Sequence, residues 1–248
     1  MGSLLTAFTV FIASFTTGIC GVFLRGKHPD GSLDQATSDV VKLVMGLVAT
    51  MAAIILGMLI ASANSSYNQQ GEELETLATN VVLLDKMLEA FGPQADPVRG
   101  RLKNAMEQAH ARLWTPNGAN TINFQTAQVI LHEVQALEPK TPLQRALQER
   151  VLRLSEDVMR TRLLITAQSA NGGISRTFLS VLVFWNCALF FGFGLFGRAN
   201  RTTLATLLVG SASVGAAIFL ILDLSQPYQG FMQLSDAPLK MALRHIGP

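Results

Sequence analysis

The chain has 248 residues, of which 49% are hydrophobic and only 15% are charged, and its formal net charge is +2. Soluble domains carry about 25% charged residues, so the composition argues against an ordinary soluble enzyme. The small net charge offers no basic surface for nucleic acid. The 2 cysteines, Cys20 and Cys187, lie in apolar stretches, so neither a disulfide framework nor a thiolate metal site is expected.

Four apolar runs, arranged as two pairs around a polar middle, contain no Asp, Glu, Lys, Arg or His. Each run is close to the roughly 20 residues that a helix needs to cross a bilayer. We therefore predict an all-α integral membrane protein with four transmembrane helices in two hairpins that flank an extramembrane helical stalk. The runs lie within 4–24, 43–63, 177–196 and 202–222. The expected divisions are a first transmembrane hairpin over 1–70 with helices near 4–24 and 41–66, an extramembrane helical domain over 71–173, a second transmembrane hairpin over 174–225, and a C-terminal turn and short helix over 226–248.

The second apolar run continues into the polar middle without a break. Apolar residues recur there at steps of three and four, which is typical of a helix with one buried stripe. One long helix is therefore predicted from near Val40 to near Ala90, ended by Gly92 and Pro93. The apolar residues of the stripe are Leu74, Leu77, Val81, Leu84, Leu88 and Phe91.

The polar middle contains three further predicted helices. They run over 97–114, near 124–137, and from Thr141, with Pro142 in the first turn of the last one. That last helix has its own apolar stripe over 143–165. Because an apolar stripe on each of two neighbouring helices is buried when they pack together, we expect 74–91 and 143–165 to pack antiparallel.

Two opposite faces of the second transmembrane helix carry different side chains. One face has small residues, which let helices approach closely. The other face is apolar over its first turns and polar further along the helix. Copies of the chain arranged around an axis would therefore form an apolar neck that opens into a vestibule of hydroxyl and amide groups. Apolar constrictions gate channels by expelling water; the alternative is that this face contacts lipid. The small face comprises Gly46, Thr50, Ala53, Gly57 and Ala61, the constriction candidates are Val48, Met51, Ile55 and Met58, and the vestibule candidates are Ser62, Ser66 and Gln69.

No motif indicates catalysis, a metal site or a bound cofactor. GFGLFG at 192–197 has the glycine spacing of a dinucleotide-binding loop, but it ends an apolar helix and follows no strand, so helix packing or a bend explains it better. His132 and Glu133 begin a zinc-protease motif that lacks its second histidine. The apolar runs hold no ionisable residue, which argues against an ion-coupled transporter.

The end of the fourth apolar run leads into a distinctive string. LDLSQPYQGFMQLSDAPLKMAL, over 222–243, resembles the C-terminal signature of a bestrophin-like bacterial membrane protein family of unknown function, in which LD-x-x-x-P-[FY]-x-G leads to S-x-x-P-L. SANSSYNQQGEELETLATNVVLLDKML, over 62–88, is similar to that family's exit from the second helix. By position, the motif residues are Asp223, Pro227, Tyr228 and Gly230. Tyr228 suits the headgroup level of a membrane, and Asp223 is expected to hold the turn at Pro227.

The resemblance implies kinship with bestrophins, which are pentameric anion channels with a cytoplasmic helical domain and an apolar neck on the second helix. The chain departs from them because it has no aromatic neck and no acidic calcium-binding run, which puts anion selectivity and calcium gating outside the resemblance. The implied partners are the lipid bilayer, further copies in a homo-oligomer, pentameric by resemblance, and inorganic ions, but no nucleic acid. The implied location is the bacterial inner membrane, with the stalk in the cytoplasm.

The sequence thus predicts an oligomeric bestrophin-like ion channel with an apolar constriction on the second transmembrane helix, and not an enzyme. The alternative is a non-conducting membrane scaffold or sensor whose helical stalk binds a partner. Lysine and arginine are nearly balanced between the two ends of the apolar runs, so the sequence leaves the membrane orientation open.

Overall fold

The computed structural model describes residues 2–27, 35–115, 124–171, 176–197 and 199–247. Within these ranges the chain forms helices and turns and no strand. The α-helices are α1 (Gly2–Lys27), α2 (Gln35–Phe91), α3 (Asp96–Leu113), α4 (Phe124–Gln135), α5 (Pro142–Asn171), α6 (Arg176–Phe196), α7 (Arg201–Leu224) and α8 (Ala237–His245), and a 3-10 turn over Pro93–Ala95 precedes α3. The breaks predicted near 116–118 and 172–173 lie outside the described residues.

Four of these helices, α1, α2, α6 and α7, are long and apolar enough to cross a membrane. The predicted all-α membrane fold with four transmembrane helices is therefore confirmed. The chain divides into a membrane unit, Met1–Ser66 with Ile174–Ser225, and a helical unit, Tyr67–Gly173 with Gln226–Pro248. Helix α2 contributes to both units.

The long second helix ends where the sequence predicts. Gly92 has a φ of 111°, a backbone conformation that glycine adopts without a Cβ clash. Pro93 follows it at the start of the 3-10 turn. Because proline lacks the amide hydrogen that would continue α2, these two residues stop the helix at Phe91.

In the membrane unit, α1 packs parallel to α6 and antiparallel to α7. Small residues allow close approach to α7: Ser14 and Ser211 are fully buried, and a Cβ atom on Gly18 would lie 3.2 Å from a Leu207 methyl. Nearer the start of α1, a Cβ atom built on Gly215 of α7 would lie 3.1 Å from Phe11 Cβ. Close approach replaces lipid contacts by helix–helix contacts, which is how small residues stabilise transmembrane bundles.

The three glycines of the GFGLFG string serve helix packing, as predicted. A Cβ atom on Gly194 would overlap the Gly18 carbonyl oxygen of α1, and one on Gly192 would overlap the Met45 side chain of α2. Gly197 lies in the turn after α6, and a Cβ atom built on it would lie 2.8 Å from a Thr203 methyl. The overlap at Gly194 is with backbone, which cannot move aside as the end of the Met45 side chain can, so the glycine spacing reflects helix packing and not a phosphate.

The helical unit has a core built from α2, α3, α4, α5 and α8. The amide of Gln144, in the first turn of α5, donates to the Phe91 carbonyl at the end of α2 over 2.8 Å. Val158, further along α5, lines a cavity of about 50 Å³ with Leu77 of α2. The start of α5 thus meets the end of α2, and the two helices run antiparallel and share one core, as predicted. The core includes Leu74, Leu84, Leu88, Leu102, Val134, Val151 and Leu239.

A buried ion pair ties three parts of the helical unit together. Arg99 of α3 donates through Nε and Nη2 to the Asp85 carboxylate of α2, over 2.8 and 3.2 Å. Asp85 is fully buried, and it also accepts the Gly247 amide hydrogen at the C-terminal end, over 3.2 Å. A buried carboxylate is tolerated only when its oxygens are paired in this way.

The contact between α1 and α6 yields a testable prediction. Gly194→Ala places a methyl group against the Gly18 carbonyl, so we expect it to lower stability by roughly 1–3 kcal/mol, the range for overpacking. Gly100→Ala is the control, because Gly100 lies in α3 with open space around its Cβ position. Thermal unfolding in detergent should show a lower Tm for Gly194→Ala alone; equal values for both variants would contradict this packing.

Candidate functional site

The apolar segment of α2 is the least covered part of the membrane unit. Only 6% of its most apolar 18-residue stretch is buried within the chain, compared with 33% for α1 and 28% each for α6 and α7. Its buried positions are few, Ala52 and Ala63 among them, while Leu43, Leu47, Ile54 and Met58 are exposed. The single chain therefore leaves most of this segment to be covered by lipid, by other copies or by a water-filled path.

The four constriction candidates occupy two different environments. Met51 and Met58 are 50% and 68% exposed on the surface of the subunit. Val48 is half-buried, and Ile55 packs against the cluster formed by Val10, Leu182 and Ile218. At about 100° per residue, Ile55 and Val48 lie closer to the buried side of α2 at Ala52 than the methionines do, which explains the difference. The structure thus brings Met51 and Met58 together on an open face, with Val48 and Ile55 at its edge.

The vestibule candidates continue the same face beyond the apolar segment. Ser62, Ser66 and Gln69 are all exposed. The Gln69 amide donates to Glu73 Oε1 over 3.0 Å, one helical turn further on. This bond holds the Gln69 side chain along the helix.

The small-residue face of α2 is open within the subunit. Nothing in the described chain lies within 4 Å of a Cβ atom built on Gly46 or Gly57. Thr50 satisfies its own hydroxyl by donating to the Gly46 carbonyl over 2.9 Å. The prediction that this face packs against another helix is not met by any described helix of the same chain.

Of the C-terminal motif residues, Asp223 lies in the membrane unit and the others form a turn in the helical unit. Asp223 is 1% exposed in the last turn of α7, and the Ser3 hydroxyl of α1 approaches its Oδ1 at 3.5 Å. The backbone amide of Gln229 donates to the Gln226 carbonyl over 2.9 Å, and the backbone amide of Leu234 donates to the Pro227 carbonyl over 2.7 Å. Gly230, with a φ of 109°, lets the chain reverse between these two bonds.

Tyr228 lies in a protein core, an environment that the sequence pattern did not predict. It is 4% exposed and belongs to the core of the helical unit, where its ring meets Trp114 edge-on at 6.1 Å. The Trp114 indole donates to Leu234 O over 3.0 Å, which fixes the turn over the same core. Burial raises the pKa of the Tyr228 phenol well above its usual range, and the nearby negative charge of Glu73 raises it further.

Sequence reasoning missed the residues that hold this turn. Tyr67 and Trp114, which contact it, come from two different helices, and the Asp85–Arg99 pair of the same unit joins residues fourteen positions apart. The only sequence signal was the high density of polar residues between 64 and 76, among which Tyr67 is the one aromatic residue. Among the described residues, no group of three His, Cys, Asp or Glu side chains is arranged to hold a metal ion.

Comparison with known proteins gives a consistent result. A family model described as a bestrophin-like domain matches residues 10–239, whereas no curated protein sequence matches the chain. A crystal structure of a bacterial bestrophin homologue from Klebsiella pneumoniae, phased with zinc, is similar with a TM-score of 0.71 at 12% identity, covering 96% of each chain.

Two single-substitution variants of that homologue are similar as well. One has a TM-score of 0.70 at 12% identity and covers 97% of each chain. The other has a TM-score of 0.71 at 13% identity and covers 99% of this chain and 97% of the homologue. At this level of identity, the likeness to the solved structures shows the fold.

The turn after α7 yields a testable prediction. Gly230→Ala forces a Cβ atom into a left-handed conformation, which costs roughly 1–2 kcal/mol for residues other than glycine, so the variant should unfold at a lower temperature than the parent. Gln229→Ala keeps the same backbone bonds and serves as the control. Thermal unfolding in detergent measures both, and an unchanged Tm for Gly230→Ala would show that the turn does not require glycine.

Proposed function

We propose that this chain, which belongs to the bestrophin-like family, is one subunit of an oligomeric ion channel whose apolar constriction lies on α2. The observation that carries the proposal is the low coverage of the α2 apolar segment within its own subunit, 6%. The other three transmembrane helices are buried to 28% or 33% within the chain, so α2 has the most apolar surface left over. A helix in that position can form both the contact between subunits and the wall of a central path.

The three faces of α2 suit these roles. Ala52 marks the side that packs on its own subunit. At about 100° per residue, Met51 and Met58 lie about 100–120° to one side of Ala52, and Gly46 and Gly57 lie about 120–140° to the other side. In a closed ring of subunits, each wall helix has to meet its own subunit, a neighbour and the axis. We assign the small face to the neighbour and the methionine face to the axis.

The chemistry of the methionine face favours a gate over a binding site. It carries no charged residue that could hold an ion, and a narrow apolar ring expels water, which raises the free energy of an ion crossing it. The polar vestibule of Ser62, Ser66 and Gln69 follows directly, so ions would be rehydrated as they leave the ring. Val48 and Ile55 complete the apolar wall from its edge.

The remaining assignments follow from family membership and from the resemblance to bestrophins. We propose a homo-oligomer, pentameric by that resemblance, in the bacterial inner membrane with the helical unit in the cytoplasm. Its partners are membrane lipid, inorganic ions and its own copies. No catalytic role is assigned to any residue.

The first prediction from the proposed function concerns the gate. Met58→Ser places a hydroxyl in the apolar ring and should raise ion flux into liposomes about tenfold, as expected if the barrier falls by about 1.4 kcal/mol. Val209→Ser is the matched control, because Val209 is 63% exposed on α7 and away from the proposed axis. Ile55→Ser would also disturb packing inside the subunit, so Met58 gives the cleaner test.

Flux equal to that of protein-free liposomes, for both the native protein and Met58→Ser in intact oligomers, would refute the channel. It would favour a non-conducting scaffold or sensor instead. A similar rise for Val209→Ser and Met58→Ser would show that the effect is not specific to the methionine face.

The second prediction concerns assembly. Gly57→Leu overfills the small face and should weaken the subunit contact by roughly 1–3 kcal/mol, shifting the population toward smaller species in native mass spectrometry. Gly57→Ala keeps a small residue on this face, as subunit contacts between transmembrane helices favour, and should keep the oligomer. An unchanged oligomer for Gly57→Leu would place the contact between subunits elsewhere.

A further inference from the structure

The turn over 226–234 lies against one side of α2 within the helical unit. The Tyr67 hydroxyl approaches Gln233 O at 3.5 Å. A Cβ atom on Gly71 would lie 3.4 Å from a Leu234 methyl, one turn further along α2. Gln70 belongs to the turn of α2 between Tyr67 and Glu73 and is 4% exposed. Gln70 is therefore buried on the segment of α2 that the turn contacts.

Two polar atoms in this buried region lack hydrogen-bond partners among the described residues. They are the Gln70 Oε1 atom and the Tyr228 hydroxyl, and each residue is 96% buried, with 4% of its surface exposed. Native proteins satisfy nearly all buried polar groups, either directly or through ordered water. Two such atoms beside the same turn indicate a bound species that joins them.

Glu73 supplies a third oxygen-bearing group at this position. Its negative charge raises the pKa of the Tyr228 phenol, so its carboxylate lies within electrostatic range of that hydroxyl. It follows Gln70 by one helical turn and therefore shares its side of α2. Its Oε1 accepts a hydrogen from the Gln69 amide over 3.0 Å.

We infer that one buried water molecule binds between α2 and the 226–234 turn and bonds to Gln70, Glu73 and Tyr228. The Tyr228 hydroxyl donates to the water, and the water donates to Gln70 Oε1 and to the Glu73 carboxylate. This arrangement uses both hydrogens of the water and one of its lone pairs, and about three bonds is the usual number for a buried water.

This water has a consequence for the proposed channel, and that consequence rests on the proposed function. Glu73 bonds to Gln69, which is a vestibule candidate. The chain of bonds from Tyr228 through the water and Glu73 thus ends on the face of α2 that we assign to the axis. The C-terminal turn and the vestibule are linked by polar contacts, so a change at the turn should alter conduction without any residue of the turn touching an ion.

A density map at a resolution that shows ordered water tests the site directly. We expect a single peak about 2.5–3.0 Å from Tyr228 Oη and Gln70 Oε1, the spacing of hydrogen bonds between oxygens. A peak with oxygen contacts of about 2.3–2.6 Å would identify a cation and overturn the assignment. A direct bond between the two side chains, with no peak, would also overturn it.

Thermal unfolding of variants tests whether the groups act through one water. Tyr228→Phe and Gln70→Met should each lower Tm by about 2–4 °C, a usual single-contact effect in a chain of this size. The double variant should lose little more than either single one, because both remove the same water. Tyr67→Phe is the matched control, since Tyr67 is the only other tyrosine of the chain and is half-exposed. Additive losses in the double variant would contradict a shared water.

Ion flux into liposomes tests the link to the vestibule. Tyr228→Phe should change the flux about fivefold, at the low end of coupling between distant sites, whereas Tyr67→Phe should leave it unchanged. An unaltered flux for Tyr228→Phe, with the native protein conducting, would refute the link. If the native protein does not conduct, the proposed function fails, while the density map and the unfolding measurements still decide the water site.

Discussion

The apolar segment of α2 has to be covered by something outside its own subunit. Each Å² of apolar surface left in water costs about 25 cal/mol, and residues such as Leu43, Met51 and Met58 are at least half exposed. Lipid alone satisfies this requirement, but lipid does not explain why one side of the segment is lined with glycine and alanine and another with methionine. Separate neighbours for the separate faces do explain it.

The glycine contacts of the membrane unit explain why α2 is the helix that its own subunit covers least. Gly18 and Gly194 bring the backbones of α1 and α6 together, and Gly215 lets α7 approach α1. These three helices bury each other, and α2 joins them only along the side that includes Ile55, Leu56 and Leu59. Close packing of three helices thus leaves the fourth with two free faces. The same continuous helix then enters the helical unit, where the Asp85–Arg99 pair fixes it to α3.

Most of the fold could be predicted from the sequence because its signals are local. Uncharged runs of bilayer length mark the four transmembrane helices, and a stripe repeating every three or four residues marks the continuation of α2 to Phe91. The candidate site was less predictable because it depends on contacts distant in sequence. The sequence pattern assigns Ile55 and Met51 to one helix face, but of the two only Ile55 packs against the cluster that contains Val10 and Leu182. Tyr228 has the amphipathic character of an interfacial aromatic, and only its contact with Trp114 shows that it is a core residue.

The most direct test of the central claim is a density map of the assembled protein in a lipid bilayer, with the subunits counted and α2 traced. The account predicts a ring of subunits in which α2 of every copy lines the central axis. Met51 and Met58 should lie nearest that axis, and Gly46 and Gly57 should contact the neighbouring subunit. A map in which Met51 and Met58 face lipid, or in which another helix lines the axis, would contradict it.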